Sequence, residues 1–196
     1  MRNPDILTAT EPVAEAFEKL GILYCIGGSI ASSAYGIPRS TMDVDMVADL
    51  KPVHVRSLVR MLESSYYIDE NMILDAIGRR SSFNIIHLET MLKIDIFVAG
   101  NTPYDIETFK RRRRDTLDEE QKSAEFYLVS PEDIILNKLV WFRLGGGVSD
   151  RQWSDVLGVL KVQKNLLDDS YLKYWASELK VEDLLEKAFQ DSDINS

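Results

Sequence analysis

Three aspartates and a pair of glycines carry the chemistry legible in this chain. Asp43 and Asp45 stand two apart in S-T-M-D-V-D-M-V, a run whose other residues suit a buried strand. Successive side chains of a strand point to opposite faces, so Asp43 and Asp45 share one face while Met42, Val44 and Met46 take the other. Aspartate is depleted in strands and two carboxylates held together repel, so such a face makes sense with a cation between them. Asp95 lies at the centre of a second strand-like run, L-K-I-D-I-F-V, and joins the patch if the two strands are neighbours. Oxygen-only clusters of this kind suit Mg²⁺, which is normally shared between protein carboxylates and substrate phosphates. Two such ions can stabilise both the attacking and the leaving oxygen of a displacement at phosphorus.

The phosphate end of that arrangement is visible in Gly27-Gly28-Ser29. The glycines let the backbone turn sharply and approach a ligand closely, and the start of the following helix offers N–H groups and the positive end of a dipole. A G-G-S turn or a D-x-D alone is common. The combination of strand, G-G-S, thirteen residues, D-V-D and a later strand-borne acid is far more specific.

These residues need elements to hold them. The spacing of Val13, Ala16, Phe17 and Leu20 predicts a helix over Pro12 to Leu20, ended by Gly21, and Ile22 to Ile26 reads as a buried strand. A short small-residue helix follows from Ser29 to Tyr35, then a strand from Thr41 to Val47 and a helix from Pro52 to Leu62. A short helix is expected over Glu70 to Ile77, and Ser82 to Leu88 with Met91 to Val98 read as an antiparallel hairpin. A helix from Tyr104 to about Arg112 and a strand from Glu125 to Val129 complete this part. From Ser130 onward only helices are predicted: Ser130 to Leu144, Ser149 to Val162, Asp168 to Leu179 and Val181 to Phe189, with the terminal Q-D-S-D-I-N-S frayed. The expectation is an α+β fold, a mixed-sheet core over 1–129 followed by a helical C-terminal part over 130–196.

The 196 residues, 45% hydrophobic and 28% charged, suffice for a full core. No apolar stretch approaches a membrane span, and the N-terminal run lacks a charged and apolar leader, so a cytoplasmic protein with no membrane partner is expected. The single cysteine, Cys25, lies in an apolar run and excludes an intramolecular disulfide. A net charge of −9 argues against wrapping a long nucleic acid, though not against an end-on contact.

The constellation resembles the DNA-polymerase-β-like nucleotidyltransferase superfamily, and P-R-S-T-M-D-V-D is most similar to its small prokaryotic members, the minimal nucleotidyltransferases and abortive-infection toxins. The resemblance covers residues 10 to 100 well. It implies a mixed-sheet nucleotidyltransferase core, transfer of a nucleoside monophosphate from an NTP to an acceptor hydroxyl, and release of pyrophosphate. It further implies Gly27, Gly28 and Ser29 at the triphosphate, Asp43 and Asp45 as ligands of two Mg²⁺ ions, and Asp95 as ligand of the catalytic ion and aid to deprotonation. Arg39, Ser40 and Thr41 become nucleotide contacts. The acceptor is open between RNA, including tRNA, a small molecule such as an antibiotic, and a protein hydroxyl, and toxin-type members bring an antitoxin protein as partner. A non-catalytic nucleotide-binding or antitoxin-type module on the same fold is the alternative from another class.

Lys138 falls in the middle of the apolar face of I-I-L-N-K-L-V-W-F, which leaves it snorkelling or aimed at an anion, and the resemblance favours nucleotide phosphates. Asp155, four residues after Arg151, reads as a solvated intrahelical pair, although the resemblance also implies an acidic residue near this point. The run Lys110 to Arg114 reads as a solvated helix end or an acceptor-RNA contact. His54 and His87 are expected to be structural, and Trp141, Phe142 and Trp153 to be core between two helices.

Overall fold

A computed structural model describes residues 4–116 and 125–194. The chain divides into two compact units, Met1–Gly27 with Ser40–Leu128, and Gly28–Arg39 with Val129–Ser196.

The first unit is built on one mixed sheet of seven strands. Strands β1 (Tyr24–Ile26), β2 (Asp43–Ala48), β3 (Tyr66–Tyr67), β4 (Ser82–His87), β5 (Lys93–Val98), β6 (Arg113–Thr116) and β7 (Glu125–Leu128) lie in the order β3-β4-β5-β2-β1-β7-β6. The central pair, β2 and β5, runs parallel, while β1–β2 and β4–β5 are antiparallel. Val44, Met46 and Ala48 of β2 and Ile94 and Ile96 of β5 are buried, and the aspartates occupy the alternate positions of both strands. This is the period-two pattern of a sheet with one face packed and the other available for polar work. Helices α1 (Pro4–Lys19), α3 (Pro52–Leu62), α4 (Glu70–Arg79) and α5 (Pro103–Arg111) belong to the same unit.

Four details differ from the sequence reading. Helix α1 starts eight residues before Pro12, which lies inside it, because the apolar face continues upstream through the buried Ala9. Strand β2 starts at Asp43, so Met42 precedes it and is 81% exposed rather than sharing the buried face. The short β3 and β6 carry too few residues for a periodic signal. The basic run is therefore not one helix end: Lys110 and Arg111 close α5, whereas Arg113 and Arg114 lie in β6. There Arg112 and Arg114 lie over the Tyr127 ring, 4.6 Å and 5.7 Å from its centre, and Arg114 pairs with Glu125 at 2.9 Å. Of the acidic residues following this run, Asp115 lies in β6, and Asp118, Glu119 and Glu120 lie outside the described residues.

The second unit is helical: α2 (Gly28–Tyr35), α6 (Pro131–Leu144), α7 (Asp150–Gln163), α8 (Asp169–Glu178) and α9 (Glu182–Ile194). Helix α9 runs through Ile194 instead of fraying at Gln190, and Asn195 and Ser196 lie outside the described residues. Phe142 and Trp153 pack with ring centres 5.1 Å apart, as a core pair should, but Trp141 is 54% exposed.

Helix α2 is short and made of small residues because α7 passes against it. A Cβ on Gly36 would meet the Gly158 carbonyl carbon at 2.9 Å and the Val159 nitrogen at 2.8 Å, both backbone atoms that cannot yield. Gly36→Ala is therefore expected to lower unfolding free energy by about 1–3 kcal/mol, read as a lower denaturant midpoint. Among the described residues no helix is long and apolar enough to cross a membrane.

Candidate active site

Strand register decides what the three aspartates can do together. Asp45 of β2 lies directly opposite Asp95 of β5, and Asp43 directly opposite Lys93. All four are on the same face, since each neighbours buried residues that take the other. The sheet thus brings together the predicted set Asp43, Asp45 and Asp95, although nearly fifty residues of chain separate the two strands. Thr41, which stands before the strand, donates its hydroxyl to Asp43 Oδ1 at 2.7 Å and fixes that carboxylate. Gly27 donates its N–H to the Asp45 carbonyl at 2.9 Å, tying the glycine turn to the aspartate strand. Ser40 is part of the same unit.

Lys93 is the residue that sequence reasoning missed here. Its ammonium lies 2.6 Å from Asp95 Oδ2. That hydrogen bond, with the charges of Asp95, Asp43 and Asp45, raises the Lys93 pKa and keeps the amine protonated. The signal was present, because Lys93 and Asp95 are two apart on a strand and must share a face.

As the side chains stand, no group of three or more His, Cys, Asp or Glu among the described residues is gathered tightly enough for a metal ion. The donor chemistry nevertheless fits one: three carboxylates on one face of neighbouring strands, hard oxygen donors, with a half-exposed lysine on the same face bonded to Asp95.

The second unit holds the remaining predicted residues around one buried carboxylate. Asp155, far from pairing in solvent with Arg151, has a side chain only 5% exposed. Arg39 clamps it in a fork, Nε to Oδ1 at 2.8 Å and Nη2 to Oδ2 at 3.0 Å. Lys138 reaches Oδ2 at 2.7 Å. The alternative between snorkelling and anion capture for Lys138 thus resolves to an anion, and that anion is the protein's own. Burial opposes ionisation of Asp155, but hydrogen bonds and charge from Arg39 and Lys138 outweigh it and hold the carboxyl below the usual carboxylate range.

Arg39 and Lys138 converge on this carboxylate, and Arg39 adjoins the start of α2. Arg39 Nη2 also donates to Ser29 Oγ, and Ser32 Oγ donates to the Gly28 carbonyl at 2.6 Å. Gly28 has φ of +55°, a left-handed conformation that costs other residues roughly 1–2 kcal/mol, so glycine is favoured there. A helix start and a hydroxyl together attract anionic oxygen.

No curated protein matches the sequence significantly. Among solved structures, an antigenic nucleotidyltransferase-like protein from Paracoccidioides brasiliensis superposes with a TM-score of 0.56 at 17% identity, covering 95% of this chain and 93% of that one. The antibiotic-resistance factor ANT(2'')-Ia superposes with a TM-score of 0.52 at 11% identity, covering 99% of this chain and 98% of that one. At such identities the likeness is one of fold, and it agrees with the mixed-sheet nucleotidyltransferase core expected from the motifs. The family model described as "Nucleotidyltransferase of unknown function (DUF6036)" matches residues 10–193, a span that takes in the glycine turn, all three aspartates, Arg39 and Lys138, and the chain belongs to that family of nucleotidyltransferases.

Proposed function

We propose that the chain transfers a nucleoside monophosphate from an NTP to an acceptor hydroxyl in a Mg²⁺-dependent reaction that releases pyrophosphate. The observation that supports this most strongly is the register pairing Asp45 with Asp95, with Asp43 on the same face. In this reading Asp43, Asp45 and Asp95 hold two Mg²⁺ ions, which when bound supply charge stabilisation at the reacting phosphorus. Thr41 keeps Asp43 turned for ligation. Asp95 has a carboxylate able to accept the proton of an acceptor hydroxyl. Gly28 and Ser29 receive the triphosphate through backbone N–H groups and a hydroxyl, at a turn whose Gly27 N–H is committed to the Asp45 carbonyl, while Arg39 and Lys138 balance its charge; Ser40 is a further nucleotide contact.

The experiment is label transfer. The protein is incubated with Mg²⁺ and each α-labelled NTP in turn, together with total RNA, a panel of antibiotics, or protein extract, and pyrophosphate is measured alongside. The expected result is label in one acceptor fraction with equimolar pyrophosphate, which also identifies the base and the acceptor. Nucleotide binding without pyrophosphate release across all acceptors would instead favour a non-catalytic nucleotide-binding or antitoxin-type module. Label on RNA that a co-expressed partner protein suppresses is the result a toxin–antitoxin pair would give.

A further inference from the structure

Lys93 is an unusual choice for its position. Lysine is a poor strand former, and a half-exposed lysine–aspartate pair contributes little to stability. Its surroundings give it another task. Within the β2–β5 register it lies opposite Asp43 and two residues before Asp95, which itself lies opposite Asp45, so the lysine shares a face with all three carboxylates. An ammonium is a singly charged cation of fixed tether, and it is bonded at 2.6 Å to the one acid that lies on its own strand. The side chain is 46% exposed, so it can swing into solvent without uncovering a core.

We propose that Lys93 is the internal counter-ion of the carboxylate face, which a divalent cation must displace from Asp95 in order to bind. The proposal rests on the metal-ion reading above. Its consequence is a site tuned against metal ions alone: a cation arriving with a nucleotide brings phosphate oxygens to which the released ammonium can turn, whereas a bare cation brings none. Loading is thereby coupled to nucleotide arrival by a residue of this chain that is not itself a ligand.

The test is calorimetric titration of the full chain with Mn²⁺ in the absence of nucleotide, comparing wild type with Lys93→Met, Lys93→Arg and Asp45→Asn. Lys93→Met should bind Mn²⁺ about tenfold more tightly than wild type, the order expected for removing one competing charge at a partly exposed site. Lys93→Arg keeps the charge and should stay near wild type. Metal-free Lys93→Met should melt below wild type and gain more from saturating Mn²⁺, since its carboxylates lack their cation. If Lys93→Met binds no more tightly while Asp45→Asn weakens binding, the counter-ion role is wrong and the metal reading stands. If wild type and Asp45→Asn bind Mn²⁺ alike, the metal reading fails first. Should Lys93→Met not fold without metal, recovery on adding Mn²⁺ supports the proposal and failure to recover overturns it.

Discussion

The Asp45→Asn protein is expected to transfer nucleotide at least about a thousandfold more slowly than wild type, roughly 4 kcal/mol of lost transition-state stabilisation. Asparagine keeps the size of aspartate and removes its charge, so the loss reports ligation rather than packing. Asp45 is the member of the set whose removal should be felt most, because it is paired in register with Asp95; its backbone carbonyl also accepts from the glycine turn through Gly27. The carbonyl is untouched by the substitution, so the turn should persist. Thermal stability should hold or rise slightly, since one of three like charges on the face has gone. A variant that stays folded and transfers label at the wild-type rate would remove the three-aspartate centre from the mechanism altogether. Asp43→Asn should behave similarly, with Thr41 left donating to a neutral partner.

The largest effect on stability should come from Asp155→Ala. Removing a buried carboxylate leaves Arg39 and Lys138 facing each other without the charge that reconciled them, and breaking such a pair costs about 3–5 kcal/mol. Denaturant unfolding measures it directly. Lys138→Met in the Asp155→Ala background should return part of the loss, because the second substitution removes the cation that the first one stranded. The acid side of the stability profile carries a second signature. Asp155 has a folded-state pKa below its ordinary value of 3.8, so its ionised form contributes fully above that value and the contribution disappears as pH falls through the folded pKa. Asp155→Asn, which cannot titrate, should therefore show a shallower loss of stability below about pH 4.

How much of this was legible in the sequence differs between the two units for a physical reason. On strands, period two fixes which side chains share a face, so Asp43, Asp45 and Asp95 could be grouped from residue spacing alone, and the hairpin of β4 and β5 could be read from its turn. The same rule places Lys93 on that face, two residues upstream of Asp95. Asp155 was not legible in that way. Its partners lie 17 and 116 residues away, and no local periodicity encodes a pairing of that length. The available hint was indirect: a lysine set in the middle of an apolar face, as Lys138 is, demands an anion close by. The segment Gly28–Arg39 was equally hidden, since a short helix between two strands of a sheet reads as belonging with them, and its glycine-tight fit against α7 is a property of the second helix as much as the first.

That excursion also imposes an order on synthesis. Helix α2 leaves the ribosome early, with Ile30, Ala31 and Tyr35 needing burial, yet the Tyr35 carbonyl accepts from Gln163, 128 residues later. At ordinary elongation rates of about 5–20 residues per second, the helix waits roughly 6 to 25 seconds for α7. The strands on either side of it in the chain, β1 and β2, pair with each other in the earlier unit and need nothing from the later one to do so. A nascent chain stalled before Leu160 would carry α2 as an unpartnered apolar segment, a natural target for chaperones, and a fragment beginning at Val129 would lack a wall of its own core.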